Sequence, residues 1–492
     1  MEATRRTFMK TGLYAVGAMS GLGKPLNAAP ESELSPGRQP NLLFLLPDQW
    51  RFDWMNDNPE LPIKTPNIDR IANRGIRFKQ AMVAAPVCGP SRACIATGME
   101  YDHAHTPSNA YDFPQGRPSF YKKLRNAGYH TMACGKMDLA KGSNWWGIDG
   151  KWKLPVWGYS DGINNAGKWD QLGGLNFNNG KPADPYLTFL QSRNLLGEHL
   201  RDYRRRQKDD YGSTFPTPLP DDAYCDNWIT ENALNLLDTA PEKPWFLQVN
   251  WAGPHDPEDI TVGMEKTVRG LRMPPVNGQN KFSPAVNQTI RQNYTAMCEN
   301  IDRGIGKLLD KLEASGQAEN TLIIFSSDHG EMLGDLDRWG KSVPYQPSVG
   351  VPLVIAGPGV QSGIQNSALI SSIDLAATFL DYGGCSIADI DGRTIRPILE
   401  GQTRTHREVL YSGLGAWRLA FNGQYKVITG FDRVHGRNSA DISMFEPEVL
   451  TRPPIVFDLI QDPGENHDIS RSMPSAAQVL LASLRKGTYS AQ

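Results

Sequence analysis

"NLLFLLPDQ", residues 41–49, runs through five unbroken apolar residues and then stops at a proline and an acid. A strand with one wet face alternates apolar with polar residues, whereas an uninterrupted apolar run suits a strand buried on both faces of a largely parallel sheet. The pattern recurs. "YHTMACGK" (129–136) ends at Lys136, "PWFLQVNWAGPHDP" (244–257) reaches His255, and "NTLIIFSSDHGE" (320–331) reaches Asp328 and His329. "VPLVIAGPG" (351–359) is a fifth run. Between them lie helix candidates: "TPNIDRIANRG" (65–75), with Pro66 at the first helical position and a stop at Gly75, then "SFYKKLRNAG", "DNWITENALNLLDTA" and "IRQNYTAMCENIDRGIGKLLDKLEASG". This alternation predicts an α/β fold, a large mixed, mostly parallel sheet flanked by helices. Ligands of such sheets sit beyond the carboxyl ends of the strands, so Asp48, Lys136, His255, Asp328 and His329 are expected on one edge.

The last ninety or so residues change character. "REVLYSGLGAWRLAFNGQYKVI" (407–428) reads as two strands joined by "NGQ", "IVFDLIQDPGENHDI" (455–469) as a strand and turn, and "AAQVLLASLRKG" as a closing helix. The expected division is therefore a main domain over 38–400 and a small antiparallel sheet plus helix over 401–492. At 492 residues the chain is long enough for both, and a net charge of −2 supplies no global positive field to attract nucleic acid.

The opening "TRRTFMKTGLYAVGAMSGLGKPLNA" places Arg5 and Arg6 before a weakly apolar, glycine-rich run that is too short to span a bilayer. It reads as a twin-arginine export signal over 1–29, which predicts delivery of a folded protein to the periplasm or beyond. The six cysteines form no CxxC pair and no zinc pattern. In an oxidising compartment an even count is compatible with three disulfides; buried free thiols are the alternative.

"CGPSRACIATG" (88–98) resembles the C-x-P-S-R-x4-T-G signature of the type I, formylglycine-dependent sulfatases. The resemblance extends to the strand ending at Asp48, to "GK" at 135–136, to "GPHDP" around His255, to "SDHGEMLGD" at 327–335, to Lys341 and to the closing "FDLIQDPGENHDI". It implies an alkaline-phosphatase-like fold and a formylglycine made from Cys88 by a formylglycine-generating enzyme before export. The aldehyde hydrates, one hydroxyl attacks the sulfate ester, and the second expels sulfate afterwards.

On the same resemblance Arg92, one helical turn beyond Cys88, stabilises the developing alkoxide and binds a sulfate oxygen. Asp48, Gln49, Asp328, His329 and the hydrate oxygen of residue 88 form a hard-cation site, with calcium expected first and magnesium second. His329 is an unusual calcium ligand and leaves room for a transition metal, while Gln49 stands where many relatives have a second aspartate. His255 is the expected general acid for the leaving alcohol, and Lys136 and Lys341 clamp sulfate and leaving-group oxygens. Where the family often has G-K-x-H, this chain reads "GKMD". The base that releases sulfate is then Asp138 or His105, and Asp138 paired with Lys136 as a structural carboxylate is the third possibility.

Residues 143–180 hold Trp145, Trp146, Trp152, Trp157 and Trp169. They suit a carbohydrate cleft, with Trp145 and Trp146 as sugar contacts, or equally a loop whose tryptophans pack internally. "RDYRRRQK" (201–208) is a solvated helix face or a guide for a polyanionic glycan. The expected function is hydrolysis of sulfate esters on a sulfated poly- or oligosaccharide. Hydrolysis of phosphodiesters or phosphonate monoesters is the nearest alternative, and a non-catalytic glycan-binding protein the more distant one.

Overall fold

The apolar runs form the middle of an eight-stranded sheet in a computed structural model that describes residues 39–209, 211–432 and 452–486. Its strands are β1 (Asn41–Leu45), β2 (Gly75–Met82), β3 (His130–Gly135) and β4 (Asp161–Asn164). They continue with β5 (Trp245–Asn250), β6 (Thr321–Phe325), β7 (Leu353–Ala356) and β8 (Ile364–Ser371). The order across the sheet is β4-β3-β5-β1-β6-β7-β2-β8, and only β7 runs antiparallel to its neighbours. β1 lies parallel to β5 and β6, and β3 parallel to β4 and β5, so the carboxyl ends of β1, β3, β5 and β6 share one edge.

The principal helices are α1 (Pro66–Asn73), α2 (Cys88–Thr97), α3 (Phe120–Asn126), α4 (Asp170–Phe177) and α5 (Pro185–Ser192). After them come α6 (Leu196–Arg206), α7 (Cys225–Asp238), α8 (Pro284–Ala314), α9 (Asp374–Tyr382) and α10 (Ser475–Lys486). Burial on both faces explains the unbroken apolar run of β1. Leu42 and Phe44 enter a core with residues of α2, α3 and α9, while Leu43 and Leu45 enter a second core with residues of α1, α7 and α8. Every residue of that strand is buried, as a sheet covered by helices on two sides requires.

A separate four-stranded antiparallel sheet follows, β9 (Leu410–Leu414), β10 (Trp417–Phe421), β11 (Tyr425–Thr429) and β12 (Ile455–Asp458). One face packs on α10 through Ala420, Val427, Val456 and Leu480; the other sends Leu419, Ile428 and Phe457 into the core shared with α2 and α9. The segment read as one strand before "NGQ" is two. Leu414 pairs with Trp417, and the chain reverses through Gly415, whose φ of 54° lies in the region that favours glycine. Both sheets belong to one compact unit, 39–492.

All six cysteines are free, five of them buried, so the described fold contains no disulfide. The twin-arginine signal over 1–29 lies outside the described residues. No helix among the described residues is long and apolar enough to cross a membrane.

Candidate active site

Four strand ends deliver the polar groups. Asp48 and Gln49 follow β1, Lys136 and Asp138 follow β3, His255 follows β5, and Asp328 and His329 follow β6. Cys88 arrives from a helix as the first residue of α2, after Val87 in an extended conformation. Every residue of α2 is buried. The helix closes on Gly98, at φ 69°, whose N–H donates to the Cys94 carbonyl at 2.8 Å. A left-handed cap of this kind favours glycine, which accounts for the T-G that ends the signature.

One ligand atom each from Asp48, Cys88, Asp328 and His329 lies within 4.8 Å of the others. His329 Nε2 is 3.2 Å from Cys88 Sγ and 3.6 Å from both Asp48 Oδ1 and Asp328 Oδ2. Its Nδ1 is 3.1 Å from the Gly330 carbonyl, which accepts only from a protonated nitrogen. In the neutral ring, the form that binds a metal, Nε2 is then the bare nitrogen and turns its lone pair into the cage. Two carboxylates and an imidazole lone pair, all buried, fit a divalent cation.

Cations face this cage from the other side. Arg92 Nε donates to Asp328 Oδ2 at 2.8 Å, Nη1 donates to Asn250 Oδ1 at 3.0 Å and to the Lys136 carbonyl, and Nη2 lies 3.4 Å from Asp48 Oδ2. Lys136 Nζ donates to Asp48 Oδ2 and sits 3.5 Å from Cys88 Sγ. Burial and Asp48 push the Cys88 thiol up, but Lys136 and Lys341, joined by His329 when its ring is protonated, outweigh them and hold it well below the ordinary thiol range. Position 88 is therefore built for an anionic oxygen or sulfur.

Gln49 adjoins the cage but spends its amide elsewhere. Its backbone N–H donates to Asp328 Oδ1 at 3.0 Å, its side-chain Nε2 donates to Glu331 and to Asp256 Oδ1, and its Oε1 accepts from Lys341 Nζ. Lys341 Nζ is also 2.6 Å from His255 Nε2, which brings the expected acid and the expected clamp into contact. Asp138 joins Lys136 at 3.1 Å and Lys141 at 3.0 Å, and Lys141 continues to Asp170 at 2.5 Å. Burial raises the Asp138 carboxyl, yet Lys136 and Lys141 overcome this and hold it far below the usual carboxylate range. A carboxylate held so low is a weak base. His105 is exposed beside the turn Tyr101–Ala104.

The tryptophans divide. Trp146 and Trp157 are fully buried, so Trp146 has no open face for a sugar and packs in the interior instead. Trp145 is half-buried, 6.4 Å from the ring of the exposed Phe177. Trp169 Nε1 donates to Asp256 Oδ2 at 2.6 Å. In α6, Arg201, Arg204 and Arg205 are exposed, whereas Arg206 is buried and donates to the carbonyls of Ser213 and Phe215. Sequence reasoning missed Asn250, Lys141, Glu331 and Asp256. Asn250, a polar residue closing an apolar strand run, carried the same signal as Asp48.

Residues 40–385 match the sulfatase family model, and residues 334–486 match the model of the N-sulphoglucosamine sulphohydrolase C-terminal region. An N-acetylglucosamine-6-O-sulfatase of Bacteroides thetaiotaomicron is 28% identical over 413 residues, covering 75% of this chain and 72% of that protein. A phosphonate monoester hydrolase of Agrobacterium radiobacter shares the fold, with a TM-score of 0.72 at 21% identity over 91% of this chain and 94% of that one. So does a protein solved with its substrate D-glucosamine-2-N,6-O-disulfate, with a TM-score of 0.69 at 20% identity over 92% and 97% of the two chains. With the family match covering most of its length, the chain belongs to the sulfatase family.

Proposed function

We propose that this sulfuric ester hydrolase acts on a sulfated poly- or oligosaccharide, using a formylglycine made from Cys88. The observation that carries the reading is the place of Cys88, at the first position of a buried helix and among Asp48, His329 and Lys136. The hydrated aldehyde would supply a nucleophilic hydroxyl and a second one for release, which a thiol does not. A glycan as substrate is supported by a relative named as an N-acetylglucosamine-6-O-sulfatase and by a structural neighbour solved with a sulfated glucosamine as its substrate.

The chain's own groups divide the remaining work. Asp48, Asp328 and His329 would hold the divalent ion, which supplies positive charge beside the sulfate oxygens. With the Gln49 carbonyl on Lys341, the donors left to the ion are two carboxylates and one imidazole; the carboxylates keep calcium the first expectation and magnesium the second, and the imidazole leaves room for a transition metal. Arg92 and Lys136 neutralise developing negative charge, and Asp138 anchors Lys136 and Lys141. His255 protonates the leaving oxygen, and Lys341 binds beside it.

Export by the twin-arginine signal accords with a fold that needs no disulfide and so is complete in a reducing compartment before it leaves. The test compares inorganic sulfate release from pooled sulfated glycans by protein co-expressed with a formylglycine-generating enzyme and by its Cys88→Ala variant. Sulfate from the first and none from the second is expected. If the residue-88 peptide carries the aldehyde by mass and phosphodiesters are cleaved in place of sulfates, the substrate class is wrong. Stripping the ion with a chelator is expected to abolish turnover, and the metal that restores it, among calcium, magnesium and a transition metal added in turn, would identify the occupant.

A further inference from the structure

The contact between His255 and Lys341 sets a problem for the general acid. An ammonium has no lone pair, so the 2.6 Å approach of Lys341 Nζ to His255 Nε2 requires Nε2 to be the acceptor. The ring proton is then on Nδ1, 2.7 Å from the Asp256 backbone carbonyl and 3.1 Å from Asp256 Oδ1. An imidazole in that state has no proton at Nε2 to give. It acquires one only as the imidazolium, which places two cations side by side unless an anion touches the ring.

We propose that Asp256 is the positioning residue that holds His255 as proton donor, and that Trp169 fixes Asp256 for this task. This rests on the reading of His255 as general acid. Asp256 is the carboxylate in direct contact with the His255 ring, and the pair it forms at Nδ1 offsets the second positive charge when Nε2 is protonated. As the S–O bond breaks, the ester oxygen keeps the bonding pair and takes the Nε2 proton, and Nε2 returns to accepting from Lys341.

The surroundings of Asp256 are built to fix its direction. Its Oδ2 accepts from Trp169 Nε1 at 2.6 Å, and its Oδ1 accepts from Gln49 Nε2 at 3.2 Å and lies 3.5 Å from the Tyr211 hydroxyl. The residue beside Trp169 secures the same loop. Lys168 Nζ, wholly buried, donates to the Pro257 carbonyl at 3.0 Å and to Asp259 Oδ1 at 2.7 Å. The pair Lys168–Trp169 thus grips the loop on both sides of Asp256, and charge and orientation reach His255 through one carboxylate.

A positioning role of this kind is read by leaving-group dependence. 4-Nitrophenyl sulfate expels a phenolate that needs no proton, whereas a sugar sulfate cleaved in the glycan assay expels an alkoxide that does. On the sugar sulfate, His255→Ala is expected to lower kcat by roughly 10²–10⁴-fold. Asp256→Asn is expected to lower it about tenfold or more with KM little changed, and Trp169→Phe, which removes only the N–H, to act in the same direction more weakly. On 4-nitrophenyl sulfate, both Asp256→Asn and Trp169→Phe are expected to stay within about threefold of the parent, and adding Asp256→Asn to His255→Ala should cost nothing further.

Equal losses on both esters for Asp256→Asn and Trp169→Phe, with His255→Ala still discriminating, overturn the proposal and leave the acid assignment standing. Failure of His255→Ala to discriminate removes the acid assignment and the proposal with it.

Discussion

The Arg92 guanidinium meets four acceptors in three directions, Asp328, Asn250, the Lys136 carbonyl and Asp48, while buried at the bottom of the site. A planar fork can do this; a lysine ammonium at the end of a flexible stem can serve one or two of the four. Arg92→Lys keeps the charge but leaves buried carboxylate and amide oxygens without donors, and breaking one side of a buried pair costs about 3–5 kcal/mol. The expected result is a urea midpoint lowered accordingly and a kcat at least about 10²-fold down. A variant with parental kcat would show that the charge alone suffices. Arginine at this position was legible in the sequence because Cys88 and Arg92 sit in one motif. Glu331 was not, because it acts through a tertiary contact with Gln49 that no spacing announces; Asp256 stands beside His255 in the sequence, but adjacency does not say that its carboxylate turns back to the ring or meets Gln49. Nor does composition distinguish Trp146, sealed in the interior, from Trp145, half-open at the surface.

Among the elements, α5 shows how a local device carries a pH dependence. Pro185 opens it and Asp184 caps it, with Oδ1 accepting from the Leu187 N–H at 2.8 Å. The second oxygen, Oδ2, is buried without a hydrogen-bond partner. Burial pushes this carboxyl from 3.8 up to about 7, against the N–H groups of Leu187 and Ala166. A raised carboxyl holds its proton in the folded state after the unfolded chain has released it. Its favourable contribution is complete below pH 3.8 and is lost as pH rises through about 7. Asp184→Asn keeps an oxygen for the cap and cannot ionise. It is expected to match the parent near pH 4 and to exceed it at pH 8 by about 2–4 kcal/mol, read as a rise in the urea midpoint. A variant that loses stability relative to the parent as pH rises would mean that the ionised carboxylate is favoured in the folded protein and its titration is not raised. Neither this helix nor its cap was read from the sequence, and the burial of the second oxygen leaves no pattern there at all.

At the scale of the whole molecule, unbroken apolar runs gave away the central parallel strands, because a strand covered on both faces has no polar positions to show. The outer strands were harder. β2 carries Arg77, Lys79 and Gln80, and β8 opens with exposed residues, so their patterns resemble loops more than buried strands. The block of α4, α5 and α6 was equally obscure, and one histidine ties it together. His199 on α6 donates from Nε2 to Gln171 Oε1 on α4 at 2.7 Å, and its ring packs 4.3 Å from that of Tyr203 and 5.9 Å from that of Tyr186 on α5. Its Nδ1 is buried with no hydrogen-bond partner, so a second proton would place an unsatisfied charge in the interior. Burial accordingly lowers its pKa from 6.5 to about 4, with Asp259 opposing. Between those values the unfolded chain binds a proton that the folded chain refuses. Stability therefore rises with pH over that window, and about 3 kcal/mol is lost as pH falls from 6.5 to about 4. His199→Gln cannot titrate there. Thermal midpoints measured across this range should decline less steeply for the variant, which starts lower at neutral pH for want of the ring contacts and meets or passes the parent near pH 4.5. Parallel declines would place the acid sensitivity of the molecule in its carboxylate pairs instead, with Asp374 and its partners Arg407 and His406 the first to examine.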